Sequence, residues 1–387
     1  MLILFMIRLD IIQERGKKPF YRFFICYNLM MNQKNNSNAT RTLIPESKEF
    51  FDIFLAELAL AKKSIYIANY LFEKSIIIDE LVNILIDKSK EGVKVILILD
   101  TIGSFSAFKK HQEELLVSSG VQVHYFHRIY RFWDINERSH IRLFSIDSNI
   151  GYLGGVGFND DWRKGNIFDH MFRFEEEGAQ QIESLFIQLQ EYCIHGRINM
   201  LPLPKSDEGE ILTTTLQSGR ILQKFIMDMI SRAKETLVII SPYCIPPKKM
   251  IRAIERISKK GIKVSIYTNS LKYTDHWYIN KASYVVYARL IKRGVSVYTY
   301  NTRYMHNKLI LIDDMVFGGS VNFDYRSLLI NQEVYFLTKK EPIRSTAFQL
   351  LETVHMNSSE ITLASIKKLS WYQWILNYFF YFFRRIM

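Results

Sequence analysis

The chain repeats itself. Ala61-Lys-Lys-Ser-Ile-Tyr-Ile-Ala-Asn-Tyr70 and Ala233-Lys-Glu-Thr-Leu-Val-Ile-Ile-Ser-Pro-Tyr243 both read as a helix end running into a strand. A helical stretch follows each, around Asp79–Lys90 and Lys248–Lys259, then a glycine (Gly92, Gly261) and an apolar run, Val93–Leu99 and Ile262–Tyr267. Leu115-Leu-Val-Ser-Ser-Gly-Val-Gln-Val123 and Leu290-Ile-Lys-Arg-Gly-Val-Ser-Val297 then match almost position for position. Corresponding positions stay 164 to 174 residues apart throughout. A period this long indicates duplication of a whole domain, not a solenoid. Strands alternating with helices predict an α/β architecture, each half a mixed, largely parallel sheet flanked by helices. The glycines just past the helices are the expected stops. At ~100–200 residues per domain, 387 residues hold two such units. We place them at 43–200 and 201–362, with residues 201–209 as linker, a basic and poorly ordered arm over 1–42 and an aromatic tail over 363–387.

Each half ends in the same constellation. The second reads His306-Asn-Lys308-Leu-Ile-Leu-Ile-Asp313, then Phe317-Gly-Gly-Ser320-Val-Asn322 and, further on, Glu333. The first reads His140-Ile-Arg142-Leu-Phe-Ser-Ile-Asp147, then Leu153-Gly-Gly155-Val-Gly157, with Asp169 beyond. Composition predicts about 0.12 occurrences of a histidine, a basic residue two on and an acidic residue five later. Two occurrences at matching places are signal.

The spacing has a geometric meaning. Residues two apart on a strand share a face, so His306 projects with Lys308 and His140 with Arg142. The chain returns after Asp313 as a neighbouring strand, which presents Ser320 and Asn322 beside His306. Glu333 is then a carboxylate that can fix the tautomer of that imidazole. Two such clusters make one phosphodiester site: one imidazole attacks phosphorus and the other moves the proton of the departing and incoming oxygens. Lys308, Arg142 and Asn322 would stabilise charge on the phosphoryl oxygens. Asp147 and Asp313 complete the catalytic motifs but sit past the strands, where structural support is their expected work. No metal cluster and no cofactor motif is evident.

These residues resemble the phospholipase D superfamily, whose two H-x-K-x4-D motifs build one active site between tandem domains. The similarity covers about residues 45–345. The second motif region, Gly319-Ser-Val-Asn-Phe-Asp-Tyr-Arg-Ser327 with Asn331-Gln-Glu333, is most similar to bacterial cardiolipin synthases of the phospholipase D type, as are Gly154-Gly155 and Trp162-Arg163 leading to Asp169-His170. The resemblance implies joining of two phosphatidylglycerols into cardiolipin and glycerol, with His140 as nucleophile and His306 as acid and base. It also exposes departures from the pattern. Arg142 stands where the pattern has Lys, and Gly155 and Gly157 stand where Ser or Gly and Asn are expected. The first motif is therefore degenerate, and reduced activity is an expectation to test.

Composition narrows the partners. With 51 basic and 39 acidic residues the formal charge is +12, which favours an anionic partner. The basic residues are scattered without a stripe of stacking aromatics, so lipid ranks above nucleic acid. Cys26, Cys193 and Cys244 are isolated and fit a reducing compartment. Met1–Ile7 is far shorter than the ~18–20 apolar residues of a membrane-spanning helix. Between Trp371 and Phe383 nine of thirteen residues are aromatic and Arg384-Arg385 follows, a composition suited to docking at a lipid headgroup layer. A peripheral protein of the bacterial cell membrane is the expected localisation. Three functions fit: a phosphatidyltransferase on lipid, a phosphodiesterase hydrolysing lipid or nucleic acid with the same histidines, and a catalytically impaired lipid-binding relative.

Overall fold

A computed structural model describes residues 41–105, 110–126, 137–195, 210–213 and 219–385. In the first half a seven-stranded sheet runs in the order Arg41–Ile44, Met171–Glu175, Ile150–Gly154, Arg142–Ile146, Ser64–Asn69, Lys94–Asp100, Gln122–Phe126. In the second an eight-stranded sheet runs Ser358–Glu360, Ser296–Tyr300, Lys263–Asn269, Thr236–Ile240, Leu309–Ile312, Met315–Gly319, Val334–Thr338, Glu210–Thr213. The helices Ile76–Lys90 and Lys248–Lys259 occupy equivalent crossovers. Both stop at a residue pair ending in glycine, Gly92 and Gly261, with φ of 87° and 91°, a left-handed turn that a side chain would strain.

The α/β tandem architecture is as expected, but the sheets are not largely parallel. Within these two sheets only Ser64–Asn69 with Lys94–Asp100 and Gln122–Phe126, and the equivalent three strands of the second half, pair in parallel. Their other neighbours in the same two sheets are antiparallel. The motif strands cause this. Each folds back through a tight hairpin, Arg142–Ile146 onto Ile150–Gly154 and Leu309–Ile312 onto Met315–Gly319, and hairpins add antiparallel strands. The arm also ends earlier than expected: Arg41 and Thr42 pair with Phe174 and Arg173 as an edge strand. The remainder of that arm and the linker over 201–209 lie outside the described residues.

The two sheets share a core. Phe172 and Phe174 from the first pack with Val334 and Phe336 from the second, and the Phe174 and Phe336 rings meet edge to face at 4.9 Å. Gly318 permits the approach, since a Cβ there would lie 2.9 Å from the Phe172 ring. Truncating a ring as enclosed as Phe172 costs ~3–5 kcal/mol. This interlock holds the two motif strands in one compact unit that spans residues 39–387.

Candidate active site

Each motif histidine lies just before its strand, where the backbone bridges to the other half. Ser139 pairs with Gln332, and the His140 amide donates to the Gln332 carbonyl at 2.9 Å. Tyr304–Met305 pairs with Ile167–Phe168, and the His306 amide donates to the Phe168 carbonyl at 2.7 Å. Those partners immediately precede Glu333 and Asp169. The carboxylates are thereby delivered crosswise: Glu333 lies 2.9 Å from Nδ1 of His140, and Asp169 lies 2.6 Å from Nδ1 of His306.

This corrects the expected pairing. Glu333 does not serve the histidine of its own half, and Ser320 does not stand beside His306. The Ser320 hydroxyl donates to Glu333 Oε2 at 2.5 Å and accepts from the Val334 amide at 3.0 Å, so it supports the carboxylate that holds His140. The interleaved loops explain the exchange, since a strand's outgoing end faces the opposite half. In the first half Gly155 leaves room for Asp169, whose Oδ1 would lie 2.5 Å from a Cβ there.

The motif cations differ. Arg142 is 1% exposed and its Nη1 lies 3.1 Å from Nε2 of His140. Its Nε is buried without a partner. Lys308 reaches Nδ1 of His306 at 2.8 Å, its backbone carbonyl, and Asp169 at 3.9 Å. Burial pushes Lys308 down to about 7, with Asp169 opposing. Burial first, then the charges of Arg142 and Lys308, hold both imidazoles well below their ordinary value. Burial raises Asp169 and Glu333, while Lys308 acts against the first and Ser320 against the second. Because Glu333 Oε2 accepts from Ser320 and faces Nδ1 of His140, the proton of that imidazole belongs on Nδ1. Nε2 then carries the lone pair, onto which Arg142 donates.

Asp147 and Asp313 are outside the cleft. Asp147 accepts from the amides of Lys62, Lys63 and Ser64 at 2.6–2.8 Å, and Asp313 from those of Lys234, Glu235 and Thr236 at 2.9 Å. Both adopt left-handed backbone, φ 56° and 52°. Seven residues of extended chain separate each from its histidine, about 23 Å at ~3.3 Å per residue. They clamp the starts of the central strands and do not line the cleft.

Both imidazoles face one cleft of about 1170 Å³. Asn322 lines it with Oδ1 buried and unpaired. At the equivalent place Gly157 has no side chain, and the Trp162 ring fills the space, 2.9 Å from where a Cβ would stand and 5.4 Å from the His306 ring. Several lining residues carried no motif. Tyr70 meets His140 edge to face at 5.1 Å, and Arg138 borders the cleft beside Asp100. Asp100 accepts from the Ser139 amide and Asn269 from the Met305 amide, at 2.9 and 2.8 Å. The repeat register holds that signal, since both residues end equivalent strands. Among the described residues no group of three or more His, Cys, Asp or Glu side chains could hold a metal ion, and no helix is long and apolar enough to cross a membrane.

Comparisons with known proteins agree on kinship. A family model described as cardiolipin synthase, PLD-like domain, matches residues 54–189 and 226–354. Minor cardiolipin synthase ClsB of Bacillus subtilis is 26% identical, covering 84% of this chain and 84% of its own length. The cardiolipin synthase of Alkalihalophilus pseudofirmus is 28% identical, covering 84% of this chain and 67% of its own length. Among solved structures, phosphatidylserine synthase of Haemophilus influenzae gives a TM-score of 0.71 at 13% identity, covering 95% of this chain and 100% of that one. Polyphosphate kinase of Porphyromonas gingivalis gives 0.58 at 14% identity, covering 84% of this chain and 49% of that one. These two likenesses show the fold alone.

Proposed function

The chain belongs to the cardiolipin synthase, PLD-like domain family, and from that premise we propose that it joins two phosphatidylglycerols through a phosphohistidine, releasing glycerol. The crosswise support of His140 by Glu333 and His306 by Asp169 on one cleft carries this reading. Nε2 of His140 attacks phosphorus as the bond to glycerol oxygen breaks. His306, protonated once the phosphate offsets the charges of Lys308 and Arg142, gives its Nε2 proton to that oxygen while Asp169 accepts Nδ1–H. The hydroxyl of the second lipid then returns a proton to His306 and displaces His140 from phosphorus. Arg142 exchanges its bond to Nε2 for a phosphoryl oxygen, joined by Lys308 and Asn322.

The protein would work at a membrane surface. One face of the helix Trp371–Phe382 packs Trp374, Phe380 and Tyr381 against the second-half core. The other exposes Trp371, Tyr372, Ile375, Phe379 and Phe382 to solvent. Phe380 touches Trp277 and Tyr278, and Tyr278 lines the cleft, so lipid under this face would lie next to the cleft mouth. Aromatic residues of this kind favour the headgroup layer, and Arg384 and Arg385 suit anionic lipid.

One experiment tests both parts. Purified protein is incubated with phosphatidylglycerol vesicles, alongside His306→Ala and a Trp371→Ser/Phe379→Ser/Phe382→Ser variant. Cardiolipin with glycerol from the parent, none from His306→Ala, and weakened vesicle binding by the triple variant are expected. Phosphatidic acid in place of cardiolipin would make it a hydrolase, and vesicle binding without product a lipid-binding relative.

A further inference from the structure

The two walls of the cleft differ in chemistry. On the first-half side Leu71, Ile102 and Phe105 present apolar surface beside the charged Glu73, Arg138 and Arg142. On the second-half side Tyr243, Asp275 and His276 form a polar shelf. The Tyr243 hydroxyl donates to Asp275 Oδ1 and lies 3.0 Å from the Tyr304 hydroxyl. The Tyr304 ring stands 5.7 Å from that of His306, so the shelf begins at the acid/base imidazole. His276 stacks on Tyr243 at 5.9 Å and holds Nε2 3.7 Å from Asp275 Oδ2.

A carboxylate beside a phosphate site is informative because it repels phosphate. Arg138, Arg142 and Glu73 line the first-half side and Lys308 adjoins His306; on the opposite wall, which Asp324 and Arg326 also line, Asp275 stands with its side chain 43% exposed. Its oxygens accept hydrogen bonds and cannot donate them. An anionic oxygen is disfavoured there, and an alcohol hydroxyl is favoured. Tyr243 and Tyr304 both hydrogen-bond this carboxylate, which has about four acceptor sites and so keeps capacity for a further donor, and the His276 ring adds a second polar atom one residue on. Two adjacent polar groups suit two neighbouring hydroxyls of one molecule.

We propose that Asp275, positioned by Tyr243 and flanked by His276, is the subsite for the accepting alcohol and selects a polyhydroxyl acceptor over a simple one. The inference rests on the phosphatidyl-transfer reading and adds the residues that would hold and select the acceptor. A hydroxyl neighbouring the reacting one binds Asp275, which leaves the reacting hydroxyl beside His306 for proton transfer. A monohydric alcohol of the same length can occupy the cleft but lacks that second contact. Discrimination of this kind arises because a site built for a hydroxyl is left unpaired by an analogue without one.

Competition between acceptors tests it within a single reaction. The full chain is given phosphatidylglycerol vesicles with equal concentrations of deuterated glycerol and 1-propanol, and mass spectrometry counts deuterated phosphatidylglycerol against phosphatidylpropanol. The parent is expected to favour glycerol, and Asp275→Asn, which keeps the side-chain shape and an oxygen for Tyr243, to lower the ratio about tenfold. His276→Gln is expected to lower it in the same direction by less. An unchanged ratio in Asp275→Asn, or a parallel fall of both products, overturns the subsite. Parent transfer without preference overturns the subsite alone, whereas absence of transfer from the parent to any alcohol overturns the transferase reading and the subsite with it.

Discussion

His140 is held by Glu333, a carboxylate from the opposite half of the chain, at 2.9 Å from its Nδ1. The imidazole's tautomer therefore depends on how the two halves dock. Glu333→Gln keeps the shape and removes the charge that accepts Nδ1–H. Turnover should fall about 10²–10⁴-fold, by analogy with removal of the carboxylate behind a catalytic imidazole. Ser320→Ala removes one charge-assisted hydrogen bond but leaves the carboxylate in place, and should cost about 10–100-fold. Steady-state kinetics on folded protein read both, and equal effects would contradict the order of support.

The pH dependence follows from the buried cations. Burial pushes Lys308 down to about 7, so it loses its charge as pH rises through that value, and burial with the charges of Lys308 and Arg142 holds His306 well below its ordinary value. The proposed reaction needs both protons, one for the phosphoryl charge and one for the leaving oxygen. In the free enzyme both are lost as pH rises, so kcat/KM should be highest on the acid side of pH 7 and fall above it. Lys308→Arg keeps its charge throughout and should make the fall shallower by one proton. A profile flat from pH 7 to 9 would contradict the assignment.

The first motif's glycine at 157 is coupled to Trp162. Restoring asparagine there should fail, because its Cβ would stand 2.9 Å from the indole. Gly157→Asn should lose ~1–3 kcal/mol of stability, read by urea unfolding, as overpacked sites do. Gly157→Asn/Trp162→Ser copies the Asn322 and Ser327 pair of the second half and should recover turnover relative to the single variant. A well-folded, more active single variant would contradict the coupling.

The fold was legible where local pattern sets it. The duplication, the helices after each first strand and the glycine stops follow from periodicity and backbone conformation, which act over a few residues. Sheet pairing is not legible because Arg142–Ile146 and Leu309–Ile312 are buried on both faces, a pattern shared by parallel strands and by antiparallel strands in a two-sheet core. The motif residues were legible because two-residue spacing puts His and the cation on one face. The crosswise exchange of Glu333 and Asp169 was hidden, since nothing local distinguishes a carboxylate that serves its own half from one that serves the other. Asp147 and Asp313 show the converse: they belong to the motif by spacing, yet bind backbone amides at the far end of the strand.

The central claim is that one imidazole becomes phosphorylated while the other moves the proton. Phosphatidyl-p-nitrophenol tests it most directly, because its leaving group departs without an acid and the second step still needs a base. With His306→Ala the account predicts a burst of p-nitrophenol equal to the enzyme and a stable phosphatidyl adduct that mass spectrometry maps to His140. An adduct on any other residue, or the same burst from His140→Ala, would contradict it.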